Sequence, residues 1–209
     1  EPEVMYWANT TMPVKTHVPP PLFSKRCLSK ASLYQCLDGT DWVPRYALLT
    51  RHAVLERMGA IDQNGLEFPL WLRDCGAGST SGKGALCASN AAEVMAWMTL
   101  NPETPEFMVS AFLPGRNLAC LLLYHQGELL KIGCYERLEY FMGKTVISGV
   151  SGNICKGRLI NDPAALHVAT KAVHKVCLET HEVMHGLVTV DLRGDRFGDP
   201  KVTEINLRP

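Results

Sequence analysis

The last eight residues carry the pattern that decides the fold, Val202-Thr203-Glu204-Ile205-Asn206-Leu207-Arg208-Pro209. Residues 201–205 have the character of a β-strand, and alternation along such a strand directs Glu204 and Asn206 to one face. The apolar run at residues 186–190 predicts a preceding buried strand that ends at Asp191, and residues 194–198 supply the turn. We therefore expect a hairpin that brings the Asp191 carboxylate close to Glu204 and Asn206.

Two carboxylates and an amide oxygen form a hard ligand set for a cation. Such a set suits Mg²⁺, with Mn²⁺ as a substitute, when the ion also holds substrate phosphates. An alternative is a solvated hairpin with ordinary surface charges. The hairpin alone leaves both interpretations open.

Composition places the chain among globular proteins. Its 209 residues are sufficient for one large or two small domains, and it is 46% hydrophobic, 20% charged and formally neutral. This balance gives no electrostatic reason to expect binding to nucleic acid or to an anionic membrane. No apolar run approaches the roughly 18 residues of a membrane span. The chain begins at Glu1 rather than Met, so we expect that upstream residues are missing from it.

The eight cysteines are scattered and form no CxxC pair. Several lie within apolar runs, which favours buried free thiols in a reducing compartment over a disulfide framework. We therefore expect a cytoplasmic protein.

Local patterns predict a mixture of helices and strands. Residues 1–22 are rich in proline and predict an extended linker or a domain remnant. Helices are predicted over residues 30–37, 91–100 and 163–180, with Ser29 and Asn90 capping the first two. Strands are predicted over residues 42–49, 68–73, 85–88, 106–113, 117–124 and 128–138, and a long loop over 139–158. Because strict βαβ alternation is missing, the pattern favours an α+β fold.

A glycine-rich stretch after Arg73 could bind phosphate through its backbone N–H groups. Its candidate ligand residues are Gly76, Gly78, Ser79, Gly82 and Lys83. It is not a P-loop, because Lys83 is followed by Gly84 rather than by Ser or Thr. The alternative is a flexible hairpin tip.

A competing motif is HExxH, formed by His181, Glu182 and His185. On a helix this spacing puts two zinc ligands on one face, with the glutamate as general base. Here the motif lies at the end of the predicted helix, which favours a polar helix terminus over a zinc hydrolase.

The order of these features resembles the ATP-grasp superfamily. The phosphate loop is followed by a hinge-like segment at residues 109–115 and then by the hairpin that ends in Glu204-Ile205-Asn206-Leu207-Arg208-Pro209. The similarity covers about residues 24–209 and is strongest to the branch of carbamoyl phosphate synthetase large subunits and carboxylate–amine ligases. It implies two α+β subdomains that hold ATP between antiparallel sheets. Residues 1–23 would be a linker or remnant, 24–110 the small subdomain and 111–209 the large subdomain.

The resemblance also implies roles for individual residues. Asp191, Glu204 and Asn206 would hold Mg²⁺, and Arg208 would steady the transferred phosphoryl group. Lys30, Arg73 and the loop at 76–84 would contact phosphates. The remaining roles are adenine binding by the backbone of Ala111 and Leu113, ribose binding by Asn117, and acceptor recognition by Arg137 and residues 148–153.

The implied reaction is that of an ATP-dependent ligase, which forms an acyl phosphate from a carboxylate and couples it to an amine. Its partners would be small molecules, and a homo-oligomer is compatible with the sequence. The family usually has Glu or Asp where this chain has Asn117. That departure motivates the alternative of an ATP-binding module that does not catalyse.

Overall fold

The structure is a computed structural model that describes residues 2–10, 17–52, 65–75, 85–146, 149 and 153–208. Within this part of the chain, the helices are α1 (Pro2–Asn9), α2 (Pro21–Leu28), α3 (Lys30–Cys36), α4 (Ala91–Leu100) and α5 (Pro163–Thr180). The strands are β1 (Tyr46–Thr50), β2 (Leu70–Asp74), β3 (Leu86–Ala88), β4 (Glu106–Ala111), β5 (Asn117–His125), β6 (Glu128–Tyr140), β7 (Ile154–Ile160), β8 (Gly186–Gly194) and β9 (Pro200–Asn206). Helices and antiparallel strands are therefore mixed, as the α+β prediction requires.

The chain divides into two compact units. The first contains residues 1–43, 115–137 and 158–209, and the second contains residues 44–114 and 138–157. Each unit is assembled from separate stretches of the chain. The subdomain boundaries after residues 23 and 110 stay a prediction.

The first unit holds β5, β8, β9 and most of β6, which follow one another as β6-β5-β8-β9 in a five-stranded sheet that has β7 at its edge. One face of this sheet forms a core with helix α5. The core residues on the strands include Leu118, Cys120, Leu122, Val188, Val190 and Leu192. The helix contributes Ala165, Ala169, Ala172, Val173 and Val176, which recur at helical spacing on one side. The intervening strand residues therefore lie on the opposite face of the sheet.

A β-bulge in β9 decides which face Glu204 occupies. Asp191 lies opposite Glu204, but the next residue of β8, Leu192, lies opposite Val202, so Thr203 is the extra residue of the bulge. Without this extra residue, strict alternation would put Glu204 on the same side as the fully buried Val202. The bulge instead directs Val202 to the core and Glu204 to the opposite face.

The second unit contains a four-stranded antiparallel sheet in the order β1-β4-β2-β3. Its core joins apolar strand residues to helix α4, mainly Leu70, Leu72, Val94, Trp97 and Phe107. Helix α4 begins as the sequence predicts. The Asn90 side chain accepts from Glu93 N at 3.1 Å, and Glu93 Oε2 accepts from Ser89 N at 2.7 Å.

Several sequence predictions are confirmed closely. Helices α4 and α5 have the predicted bounds, and α3 ends one residue before the predicted end. Ser29 caps α3 by accepting a hydrogen bond from Ser32 N at 3.2 Å. All eight cysteines are free thiols, as their spacing predicts.

Two segments that were predicted to lack regular structure contain it, and the domain-remnant alternative for the first stays a prediction. The proline-rich segment 1–22 contains helix α1 and the start of α2. Pro21 occupies the first turn of α2, where a missing N–H costs no helical hydrogen bond. The predicted loop at residues 139–158 contains the end of β6 and most of β7. Among the helices that the structure describes, none is long and apolar enough to cross a membrane.

Candidate functional site

Three predicted metal ligands lie together on the face of the five-stranded sheet opposite α5. Asp191 on β8 is the register partner of Glu204 on β9. The amide of Asn206 donates from Nδ2 to Asp191 Oδ2 at 3.2 Å. Because a carboxylate can only accept here, the amide must turn its N–H₂ group toward Asp191, which directs Asn206 Oδ1 elsewhere. The hairpin therefore brings two carboxylates and an amide side chain together.

Arg137 on β6 reaches the same carboxylate across β5. Its Nη1 lies 2.8 Å from Asp191 Oδ2 and its Nη2 lies 2.6 Å from Asp191 Oδ1. In the register, Asp191 lies opposite Ala119 of β5, which in turn lies opposite Tyr135 of β6. Arg137 is two residues further along β6, so its side chain reaches Asp191 diagonally across β5. The result is a two-point ion pair, the strongest geometry between these groups.

Burial changes the acid–base behaviour of Asp191. Loss of water around the carboxyl group raises its pKa to about 6, although the positive charge of Arg137 acts in the opposite direction. The neighbouring charge of Glu204 also raises the pKa. The carboxyl group therefore gains a proton at a higher pH than an exposed aspartate.

Lys30 compensates the second carboxylate. It is the first residue of α3, and its Nζ lies 3.3 Å from Glu204 Oε1. The helix is held to β9 by Tyr34, whose hydroxyl donates to the carbonyl of Val202 at 3.1 Å. Thus a basic side chain that the sequence placed far from the hairpin lies beside it.

Two threonines support the site and were missed by the sequence analysis. The bulge residue Thr203 donates from Oγ1 to the carbonyl of Asp191 at 3.2 Å. Buried Thr189 donates from Oγ1 to the carbonyl of Arg208 at 2.9 Å, which ties the end of the chain to β8. The only signal for these two threonines in the sequence is that each places a hydroxyl group within an otherwise apolar strand.

The other residues that are predicted to contact the nucleotide lie mainly in the second unit. Arg73 on β2 is buried, and its Nη2 donates to Met108 Sδ at 3.1 Å. Ala111 N donates to the carbonyl of Arg45 at 2.9 Å, and Leu113 is buried. Asn117 begins β5 in the first unit, opposite Arg193. The loop residues Gly76, Gly78, Ser79, Gly82 and Lys83 lie outside the described residues, as does most of 148–153.

The helix required by the HExxH interpretation is missing, so that interpretation is wrong. Helix α5 ends at Thr180, and His181 has the left-handed conformation, with φ of 55°. The Glu182 carboxylate accepts from Leu22 N at 3.1 Å and from Phe23 N at 2.5 Å. It thereby supplies the N-terminal cap that Pro20 cannot give to α2.

The fold is shared with solved structures of amino-acid ligases. The sequence matches no family model and no curated protein. The VanG D-Ala:D-Ser ligase of Enterococcus faecalis is similar with a TM-score of 0.66 and 20% identity over 94% of this chain. The D-alanyl-alanine synthetase A of Vibrio cholerae gives a TM-score of 0.65 and 15% identity over 91%. The Bacillus anthracis D-alanine–D-alanine ligase complexed with ATP gives 0.60 and 19% over 91%.

This likeness shows the ATP-grasp fold, as the resemblance in sequence implies. The chain covers 57%, 58% and 58% of those three ligases, respectively. It therefore spans less than three-fifths of the length of each of them.

Proposed function

We propose that this chain, which has the ATP-grasp fold, binds ATP with Mg²⁺ and belongs to an ATP-dependent carboxylate–amine ligase. The observation that carries the proposal is the cluster of Asp191, Glu204 and Asn206 on one face of β8 and β9. Two basic side chains, Lys30 and Arg137, lie beside the two carboxylates of this cluster.

The donor chemistry fits the proposed ion. Mg²⁺ prefers oxygen ligands and is usually held by one or two carboxylates together with substrate phosphates. Asp191 and Glu204 supply the carboxylates, and Asn206 supplies an amide oxygen that faces away from Asp191. Mn²⁺ would suit the same donors. When bound, the ion would neutralise phosphate oxygens during phosphoryl transfer.

The basic residues fit a role in binding nucleotide. The positive charges of Arg137 and Lys30 balance the negative charges of Asp191 and Glu204. A cation held by these carboxylates would take over that balance and leave both basic side chains attracted to phosphate oxygens. We assign Lys30 to the ATP phosphates and Arg137 to the acceptor carboxylate or its phosphorylated form. Arg208, whose carbonyl Thr189 anchors, would steady the transferred group.

The second unit supplies the other predicted contacts in this proposal. Arg73 and the glycine-rich loop would contact phosphates, and the backbone of Ala111 and Leu113 would contact adenine. Asn117, in the first unit, would donate to or accept from a ribose hydroxyl. These assignments rest on the resemblance and on the shared fold.

The reaction we propose has two steps. A substrate carboxylate oxygen attacks the γ-phosphorus of ATP, which releases ADP and leaves an acyl phosphate. An amine then attacks the acyl carbon, forms an amide and releases phosphate and a proton. The residues above contribute charge and alignment rather than a nucleophile. By analogy with the named ligases, small amino acids are the first substrates to test, and the cytoplasm is the expected location.

Calorimetric titration with a nonhydrolysable ATP analogue tests the binding step. We expect saturable binding to the wild-type chain that requires Mg²⁺ and weakens at least about tenfold in Glu204→Gln. Asp199→Asn is the matched control, because Asp199 is an exposed carboxylate in the turn of the same hairpin. Equal Mg²⁺-dependent binding by Glu204→Gln and the wild type would refute the assigned site.

A second candidate function is nucleotide binding without catalysis. It is favoured by Asn117, which interacts with a hydroxyl less strongly than the acidic residue usual in the resembled family. Phosphate release from ATP in the presence of paired carboxylates and amines distinguishes the two functions. Tight binding with no release for any pair would favour the binding module.

A further inference from the structure

Three histidines from separate stretches of the chain meet at one end of the five-stranded sheet. They are His17 before α2, His125 at the end of β5 and His185 just before β8. One ring nitrogen from each lies within 4.8 Å of the others. The rings of His17 and His185 are stacked with centroids 4.7 Å apart, and those of His125 and His185 are 5.1 Å apart.

The backbone brings these rings together. Gly186 follows His185 with φ of 94°, and a Cβ atom there would lie 2.9 Å from the carbonyl oxygen of His17. Only glycine permits this close approach of the segment around residue 17 to the start of β8. On the other side, Gly127 N donates to the carbonyl of Met184 at 2.8 Å, which holds the β5–β6 turn against the same segment.

We propose that His17, His125 and His185 bind one transition-metal ion of the Zn²⁺ type. Three imidazole nitrogens and a water molecule make a common tetrahedral coordination for Zn²⁺. Zinc–nitrogen bonds of about 2.0–2.1 Å require ligand nitrogens roughly 3.3 Å apart, so the rings must close by up to about 1.5 Å. His17 and His125 are exposed and His185 is half-buried, so their side chains can turn without disturbing the core.

This site differs chemically from the acidic hairpin. Imidazole nitrogen suits Zn²⁺, Cu²⁺ and Ni²⁺, whereas the oxygen set at Asp191 suits Mg²⁺ or Mn²⁺. A bound ion would join the segment that precedes α2 to the ends of β5 and β8. The proposal does not depend on the ligase function.

Metal binding would change one hydrogen bond. Gln126 N donates to His185 Nδ1 at 3.2 Å, so a neutral His185 has its proton on Nε2. Coordination through Nε2 would move that proton to Nδ1, which could then no longer accept a hydrogen bond. Coordination through Nδ1 would put the metal ion in the place of the Gln126 N–H group. Either route breaks the hydrogen bond from Gln126, which gives a local spectroscopic signal.

Titration of the full chain with Zn²⁺ at pH 7.5 tests the proposal. We expect one ion per chain and affinity at least about tenfold weaker in His17→Ala, His125→Ala and His185→Ala separately. His167→Ala and His174→Ala are matched controls, because both residues are exposed on α5. Asp191→Asn should bind Zn²⁺ normally, which separates this site from the hairpin.

Circular dichroism checks that each variant folds. If His185→Ala does not fold, His17→Ala and His125→Ala still test the proposal. Zn²⁺ should also shift the amide resonance of Gln126 in the wild type. The proposal is overturned if the triple alanine variant binds Zn²⁺ like the wild type, if the α5 variants lose binding equally, or if the Gln126 resonance does not respond.

Discussion

Arg137 and Asp191 form a two-point ion pair across a strand that separates them in the sheet, with nitrogen–oxygen distances of 2.8 and 2.6 Å. Both side chains are mostly buried, with 15% and 12% of their surfaces exposed. Buried charges cost free energy unless they are paired. The pair therefore ties the stability of the first unit to the same carboxylate that we assign to the metal.

Arg137→Gln should destabilise the protein by about 3 kcal/mol at pH 7.5, because it leaves a buried carboxylate without its cation. The cost should fall at pH 5, where Asp191 in the variant is protonated. Urea unfolding at the two pH values measures this difference. Lys131→Gln, at an exposed position on the same strand, is the control and should change stability little. An equal cost at both pH values would contradict the assigned role of Asp191.

Asp191 should make the metal-free protein less stable as the pH rises from about 4 to about 6. Its pKa is raised from 3.8 to about 6 in the folded state, so the folded protein binds more protons than the unfolded chain in this range. The contribution is of the order of 2 kcal/mol. Subtracting the unfolding free energies of Asp191→Asn from those of the wild type isolates it. If the difference between the two unfolding free energies stays constant from pH 4 to pH 6.5, the raised pKa is contradicted. Asp199→Asn is the control for removal of a carboxylate that is exposed.

The same pKa predicts the pH dependence of nucleotide binding. Protonation of Asp191 removes a ligand charge, so Mg²⁺-dependent binding of the ATP analogue should weaken as the pH falls below about 6. Titrations at pH 7.5, 6.0 and 5.0 measure the effect. Binding that is unchanged at pH 5.0 would place the ion elsewhere.

Deletion of Thr203 should abolish Mg²⁺-dependent nucleotide binding. Without the extra residue, alternation would turn either Glu204 or Val202 to the wrong face of the sheet. Thr203→Val keeps the extra residue and removes the hydroxyl that donates to the Asp191 carbonyl, so it should retain binding and lose about 1 kcal/mol of stability. If the deletion variant unfolds, the valine variant still tests the hydroxyl. Loss of binding in the valine variant would show that the hydroxyl itself matters.

Glu182→Ala should lower stability by about 1 kcal/mol, because the first N–H groups of α2 lose their acceptor. Thermal unfolding measures the loss. Glu128→Ala, in an exposed position, is the control. Stability unchanged by the Glu182 substitution would mean that water replaces the cap.

The sequence predicted much of the fold because the relevant signals are local. The caps at Ser29 and Asn90 and the period of the apolar residues define α3, α4 and α5 without knowledge of the rest of the chain. The extended conformation predicted for the proline-rich start was wrong at α2, because this helix receives its cap from Glu182, which lies 160 residues after Leu22. No local pattern can indicate such a partner.

The site divides in the same way. The sequence by itself determined the hairpin and the carboxylate and amide side chains that it carries, since Asp191, Glu204 and Asn206 lie within one pair of adjacent strands. Tertiary structure alone decided that Arg137 reaches Asp191 across β5, that Lys30 lies beside Glu204, and that His185 joins His17 and His125 rather than His181. The physical reason is that hydrogen bonding and side-chain alternation act between neighbours along the chain, whereas charge pairing and close packing depend on which distant segments the folded sheet brings together.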